Sequence, residues 1–403
     1  MLKVDTSPQK ITDFLERGIS EVITRDSVTR KLSLGKVLRV KHGVDPSGQD
    51  LHLGHAAVYL KLRDLQEMGH KIVFLIGGFT GRFGDPTQKL KSRTLKSREE
   101  TEEAAKNYTK QISGILDIDQ LEIRTNSEWY DKMNAEELLK LISNFTVEQV
   151  LERDMFQERK KRNEAIQLHE IIYPVLQGYD SVMLKSDLTV IGSDQIFNES
   201  FGRDLQKKFD QEPQDIVAIP LLVGLDGNQK MSKSLNNYIA LNDSATDKFG
   251  KTMSLPDSLI IDYFTLLTRL PMSEIKEMSD SLQNNSVNPR DLKINLGKEI
   301  VSFFHSKTEA EEVAHNFKET FSKKGTPENI EEKIIKKGEY TWLEIINLTG
   351  LTKSKTESRR LIEDGATDKD GEVINSPYKK IIIDRPIIIK LGKHRFIRMT
   401  PKD

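Results

Sequence analysis

The chain has 403 residues, 36% of them hydrophobic and 31% charged, with a formal net charge of −1; this length carries two or three domains with ample core. The near-zero balance excludes a global field that draws nucleic acid, so any RNA contact must come from local basic patches. The absence of cysteine excludes disulfides and thiolate zinc sites, and with no apolar signal core or run of about eighteen apolar residues a cytoplasmic protein without membrane contact is expected.

Residues 1–35 are expected to hold an amphipathic helix, because Ile11, Phe14, Leu15, Ile19, Val22 and Ile23 recur at helical spacing. From Leu38 to Val44 apolar and polar residues alternate, and Ile72–Ile76 is continuously apolar. Between these strand signals Val58, Leu62 and Leu65 predict a helix over Ala56–Met68. Strand, helix and parallel strand make a βαβ unit. Its turn carries His52, Leu53, Gly54 and His55. Free N–H groups at a helix start attract phosphate, imidazoles can donate to it, and Gly54 leaves room for a ligand against the backbone. The plainer reading makes both histidines turn or capping residues. Asp45 follows the first strand, where open α/β sheets place ligands, and Asp85 either faces that crevice or caps a following helix.

A basic run from Lys89 to Arg98 precedes an expected surface helix over Glu99–Leu116. Asn134–Arg162 reads as strongly helical. Leu138, Leu141, Ile142 and Phe145 share one face, which suits either an interface or core packing. The basic end Arg159-Lys160-Lys161-Arg162 is a seat for RNA phosphates or a solvated helix end. Tyr173, Gln177 and Asp180 fall on one helix face, with Pro174 placed in the first turn. Leu188–Gly192 reads as a strand ending in Ser193-Asp194-Gln195, with Asp194 either a cap for a helix from Ile196 or a ligand-facing carboxylate. Ile219–Val223 is strand-like and leads to Lys230-Met231-Ser232-Lys233-Ser234. Two lysines and two hydroxyls in a polar loop suit charge developing on a leaving pyrophosphate. Residues 242–323 are helical in pattern, 324–338 read as a linker, and Tyr340–Asp403 as a small α-then-β module.

His52–His55 in a βαβ context, together with Lys230–Ser234, resembles the paired signatures of class I aminoacyl-tRNA synthetases. The string Tyr173–Asp180 followed by Gly192-Ser193-Asp194-Gln195 is similar to the bacterial tyrosyl branch. The resemblance implies a Rossmann-like α/β catalytic domain over 1–240, with an inserted helical segment over about 115–185 that forms a homodimer contact. A helical anticodon-side domain (241–325), a linker (326–339) and a small ribosomal-protein-like RNA-binding domain (340–403) would follow. It implies transition-state stabilisation by His52, His55, Lys230 and Lys233, with Lys89 and Arg93 assisting. ATP would meet Asp45, Ser47, Gly54, Gly192, Asp194 and Lys230, Met231, Ser232, Lys233 and Ser234. Tyrosine would meet Asp85, Tyr173, Gln177, Asp180 and Gln195, with Asp180 accepting from the phenol. Lys160, Lys161, Arg162, Arg359 and Arg360 would contact RNA, with Lys379, Lys380, Lys393 and Arg395 as further basic positions.

The expected reaction joins L-tyrosine to ATP as tyrosyl-adenylate, then to tRNA(Tyr). Mg2+ travels with ATP, and no tightly bound cofactor or protein-held metal is needed. Lys41 departs from the family: many tyrosyl enzymes carry a tyrosine there, so specificity should rest on Tyr173, Gln177 and Asp180. The rival readings are a tryptophanyl or other class I synthetase, and a non-catalytic RNA-binding relative.

Overall fold

The computed structural model describes residues 4–46, 50–85, 97–322, 330–352, 354–392 and 395–402, without the side chains of 320–322. Ser47, Lys89, Arg93 and Lys393 lie outside these residues. The chain divides into two compact units, Met1–Ala310 and Glu311–Asp403.

The first unit is built on a six-stranded sheet of β1 (Glu21–Ile23), β2 (Arg39–Val44), β3 (Lys71–Ile76), β4 (Glu122–Thr125), β5 (Leu188–Gly192) and β6 (Asp215–Ile219). The strand order is β1-β6-β5-β2-β3-β4. Every pairing is parallel except that of β1 with β6. Strands β2 and β3, joined by the helix Leu53–Glu67, are the expected βαβ unit. The order reverses between β2 and β5, and a doubly wound sheet opens its ligand crevice at such a point.

Several local expectations are corrected. The N-terminal helix stops at Glu16, and Val22 and Ile23 lie in β1, because so short an apolar run satisfies either period. Asn134–Arg162 breaks into the helices Ala135–Ile142, Val147–Leu151 and Asp154–Lys161, the second capped afresh by Thr146. The strand near Ile219 is β6, ending where the apolar run was expected to begin. Pro174 lies well inside the helix Leu168–Leu184, because the Gln167 N–H donates to the Glu170 side chain and starts that helix early.

The helices from Ala245 to Phe304 do not form a core of their own. Tyr263, Phe264, Leu292, Leu296 and Ile300 belong to the same buried cluster as Leu62 and Ile72 of the sheet layer. The second unit closes a separate core around Trp342, Ile345, Ile362, Ile389 and Ile397. It contains the helices Trp342–Thr349 and Lys355–Glu363 and the strands β7 (Glu332–Lys336), β8 (Gly338–Thr341), β9 (Thr367–Lys369), β10 (Glu372–Ile374), β11 (Lys380–Ile383), β12 (Ile387–Leu391) and β13 (Arg395–Lys402). Strand β7 falls within the stretch read as a linker and β8 begins at its end: β7 pairs with β13 and β8 with β11, which the charged sequence did not signal.

Candidate active site

The C-terminal ends of β2, β3 and β5 open into a cleft of about 480 Å³. Its walls include His52, Gly54, His55, Asp45, Asp85, Tyr173, Gln177, Asp180, Gly192, Asp194, Gln195 and Lys230–Ser234. The two signature segments meet for a backbone reason. The Leu53 N–H donates to the Ile239 carbonyl at 3.0 Å and the Leu241 N–H to Leu51 at 2.9 Å, so the chain after the lysine loop runs beside the chain entering the histidine turn.

His52 is the N-cap of the helix Leu53–Glu67. Its Nδ1 accepts from the Gly54 N–H at 3.2 Å, and the His55 Nδ1 accepts from the His52 N–H at 3.3 Å. Burial pushes His52 down to about 3 and holds His55 well below the usual imidazole range, with neighbouring Lys233 acting in the same direction on both. Each neutral ring with Nδ1 accepting carries its proton on Nε2. The capping role and a donor role towards phosphate are therefore compatible. Gly54 lines the cleft, and a Cβ there would meet the His52 ring at 3.0 Å.

In the lysine loop Lys230 Nζ lies 3.2 Å from Asp194 Oδ2, and Lys233 Nζ lies 5.8 Å from the centre of the Tyr108 ring. The Ser232 and Ser234 hydroxyls are 2.9 Å apart, and Met231 is buried. Asn237, which sequence reasoning missed, staples the loop. Its Oδ1 accepts from the Ser232 N–H at 2.8 Å, and its Nδ2 donates to the Lys230 carbonyl and to Asp226.

The polar stripe of the helix Leu168–Leu184 faces the same cleft. Tyr173 Oη donates to Asp45 Oδ2 at 2.7 Å, and the other Asp45 oxygen accepts from Thr80 at 2.8 Å. Asp45 thus anchors Tyr173. Gln177 Nε2 donates to Glu199, Asn198 bridges the Gln177 and Gln195 side-chain oxygens, and Gln195 Nε2 donates to Asp85 at 2.8 Å. Asp194 and Gln195 lie in a short turn, and Gln195 rather than Asp194 is the N-cap of the helix Ile196–Lys208. Asp180 is buried and accepts from Trp129 Nε1 at 3.1 Å and Asn126 Nδ2 at 3.3 Å. Burial pushes its carboxyl up to about 7, against the pull of Lys41 and those hydrogen bonds. His42, also on the wall, donates from Nδ1 to the Val190 carbonyl (2.8 Å), and burial drives it to about 4.

The helices Leu168–Leu184 and Ile196–Lys208 come close enough to join these side chains because Gly178 faces Gly202. A Cβ on Gly178 would lie 2.8 Å from the Gly202 nitrogen. The partners Asn126, Trp129, Glu199 and Asn198 carried no signature in sequence; only Lys41 announced itself, as a departure. Of the basic helix end, Arg159 is buried in an ion pair with Glu170 at 2.9 Å, whereas Lys160, Lys161 and Arg162 are exposed. Arg359 and Arg360 are exposed on their helix, Arg359 pairing with Glu363. Among the described residues no helix is long and apolar enough to cross a membrane.

Residues 33–322 match the family model for class I tRNA synthetases of the W and Y type. The chain is 41% identical over 390 residues to a tyrosine–tRNA ligase of Nitrosospira multiformis, covering 96% of each chain. It is 43% identical over 388 residues to that of Idiomarina loihiensis, again covering 96% of each. In fold it is similar to a C-terminally truncated mitochondrial tyrosyl-tRNA synthetase of Aspergillus nidulans (TM-score 0.63, 24% identity, 77% of this chain and 94% of that one). It is also similar to an Archaeoglobus fulgidus tyrosyl-tRNA synthetase complexed with L-tyrosine (TM-score 0.61, 24% identity, 76% and 99%).

Proposed function

The chain belongs to the class I aminoacyl-tRNA synthetase family of the tryptophan and tyrosine type, and we infer that it is a tyrosine–tRNA ligase. It activates L-tyrosine with ATP to tyrosyl-adenylate and pyrophosphate, then passes the tyrosyl group to the 3′ end of tRNA(Tyr). The observation that carries this reading is the shared cleft, where the histidine turn, the lysine loop and the Tyr173–Asp180 stripe line one hollow.

The substrate carboxylate is itself the nucleophile, so the protein's work is positioning and charge stabilisation. In our reading the Nε2–H groups of His52 and His55 donate to phosphoryl oxygens, and Lys230 and Lys233 neutralise the leaving pyrophosphate. Lys230 exchanges its contact with Asp194 for phosphate when ATP enters, which frees Asp194 for the ribose hydroxyls. Lys89, Arg93 and Ser47 retain their expected roles on the phosphate side. Asp85 and Gln195 meet the ammonium end of tyrosine and Asp180 the phenol, with Tyr173 and Gln177 between them.

Asp45, Asp85 and Asp194 each already engage protein groups. Mg2+ would accordingly arrive on the ATP phosphates and keep its waters, where it neutralises triphosphate charge. We further read the exposed apolar residues Leu139, Val147 and Leu168 as a homodimer contact. The helices of 241–325 would serve the anticodon side and 340–403 would bind RNA. Lys160–Arg162, Arg359 and Arg360 would reach RNA phosphates, and the protein would work in the cytoplasm.

ATP–pyrophosphate exchange with tyrosine, tryptophan and phenylalanine tests the reading. Exchange with tyrosine alone is expected. Exchange driven by tryptophan, or by none of the three, would overturn it.

A further inference from the structure

Lys41 is 1% exposed at the floor of the cleft, beside Glu199 at 2%. Its Nζ lies 2.9 Å from Glu199 Oε2, 2.7 Å from Ser181 Oγ and 3.4 Å from the Gln177 carbonyl. An ammonium has three N–H donors, and all three are spent on protein. Lys41 therefore does not replace a hydroxyl as a direct partner for a ligand. Glu199 is equally committed, since Gln177 donates to one oxygen at 2.9 Å and Gln214 to the other at 2.8 Å. A buried ion pair so fully tied is seldom retained for stability, because desolvation offsets most of the attraction.

Its neighbour is Asp180, which precedes Ser181 on the helix and lines the same cleft. The groups around Asp180 are Lys41 on β2, Asp45 after β2, Asn126, Trp129 and Tyr130 after β4, and Tyr173 on its own helix. Glu199, on the next helix, lies behind Lys41. Among these the only cation is Lys41, and Asp45 repels.

We propose that Lys41 is a specificity-determining positioning residue, whose charge, anchored by Glu199, favours the ionised form of Asp180 that accepts from the phenol hydroxyl of tyrosine. Burial alone drives the Asp180 carboxyl upward, and Lys41 is the largest influence opposing it. A protonated Asp180 would be a neutral donor, and a neutral acid left unpaired by phenylalanine costs much less than an unpaired buried carboxylate. Discrimination between the two amino acids thus depends on a residue that touches neither. The inference rests on Asp180 being the phenol partner.

The test is tyrosine-dependent pyrophosphate exchange across pH, where kcat/KM reports ionisations of the free enzyme. In Lys41→Met/Glu199→Gln the acid limb should move to higher pH by about one unit. At pH 7 the preference for tyrosine over phenylalanine should fall by about tenfold. In Glu199→Gln alone the Lys41 charge is uncompensated, and the limb should move to lower pH. An unmoved limb and an unchanged preference in a folded double variant would overturn the proposal. Should the double variant not fold, an unmoved or raised limb in Glu199→Gln would do so. Wild-type protein without tyrosine-dependent exchange would instead bring down the functional assignment itself.

Discussion

At His52 and His55 the Nδ1 atoms that close the first turn of the helix also decide what the rings can offer a ligand. Such residues were legible in sequence because their chemistry is carried by type and spacing, although spacing alone could not separate capping from phosphate contact. The partners of Asp180 were not legible, since Asn126 and Trp129 reach it from a different strand end. Lys233 belongs to the legible group. It lies over the Tyr108 face in the structure, and in our reading it acts on charge that develops only during the reaction. Lys233→Ala should slow adenylate formation by about a hundredfold or more while changing tyrosine affinity little. Stopped-flow rates alongside equilibrium binding check this, and equal losses in both would contradict it.

Elements were legible where one period dominated. The helix after the histidine turn and the strands β2, β3 and β5 were placed within a few residues. Some short strands were missed: β1 because three residues fit either period, and β7 and the start of β8 because charged, glycine-containing sequence resembles a linker. The close approach of the two site helices was also hidden, since it depends on Gly178 finding Gly202 across the interface. Gly178→Ala places a Cβ against backbone that cannot yield, and should cost about 1–3 kcal/mol in chemical denaturation. A change indistinguishable from zero would show that the helices can part freely. On the outer face, Leu168 is 78% exposed. If this face is the dimer contact, Leu168→Asp should halve the mass in sedimentation equilibrium at micromolar concentration, and an unaltered mass would place the contact elsewhere.

Across the whole molecule, acid stability follows from burial that the sequence alone does not reveal. Of eight histidines, His42, His52, His55, His70 and His305 are depressed, chiefly by desolvation. A depressed imidazole contributes stability that is present above the unfolded value near 6.5 and lost as pH falls through the folded value, about 4 for His42 and His70 and about 3 for His52. Asp180 acts oppositely: its raised carboxyl favours the folded state below 3.8, and that contribution is lost as pH rises through about 7. With the histidines in the majority, the melting temperature of the first unit should fall steadily between pH 6.5 and 4, and calorimetry showing a flat or rising trend would refute the balance. Convergence of two segments remote along the chain was the main global feature readable from sequence; the pairing of residues 51–53 with 239–241 is the physical means. The measurement that probes it most directly is a double-mutant cycle on the rate of adenylate formation with His52→Asn and Lys233→Ala. If both residues stabilise the same triphosphate, the double variant should lose less than the product of the single losses, by about tenfold or more. Strictly multiplicative losses would mean that the two segments share a cleft without sharing a substrate.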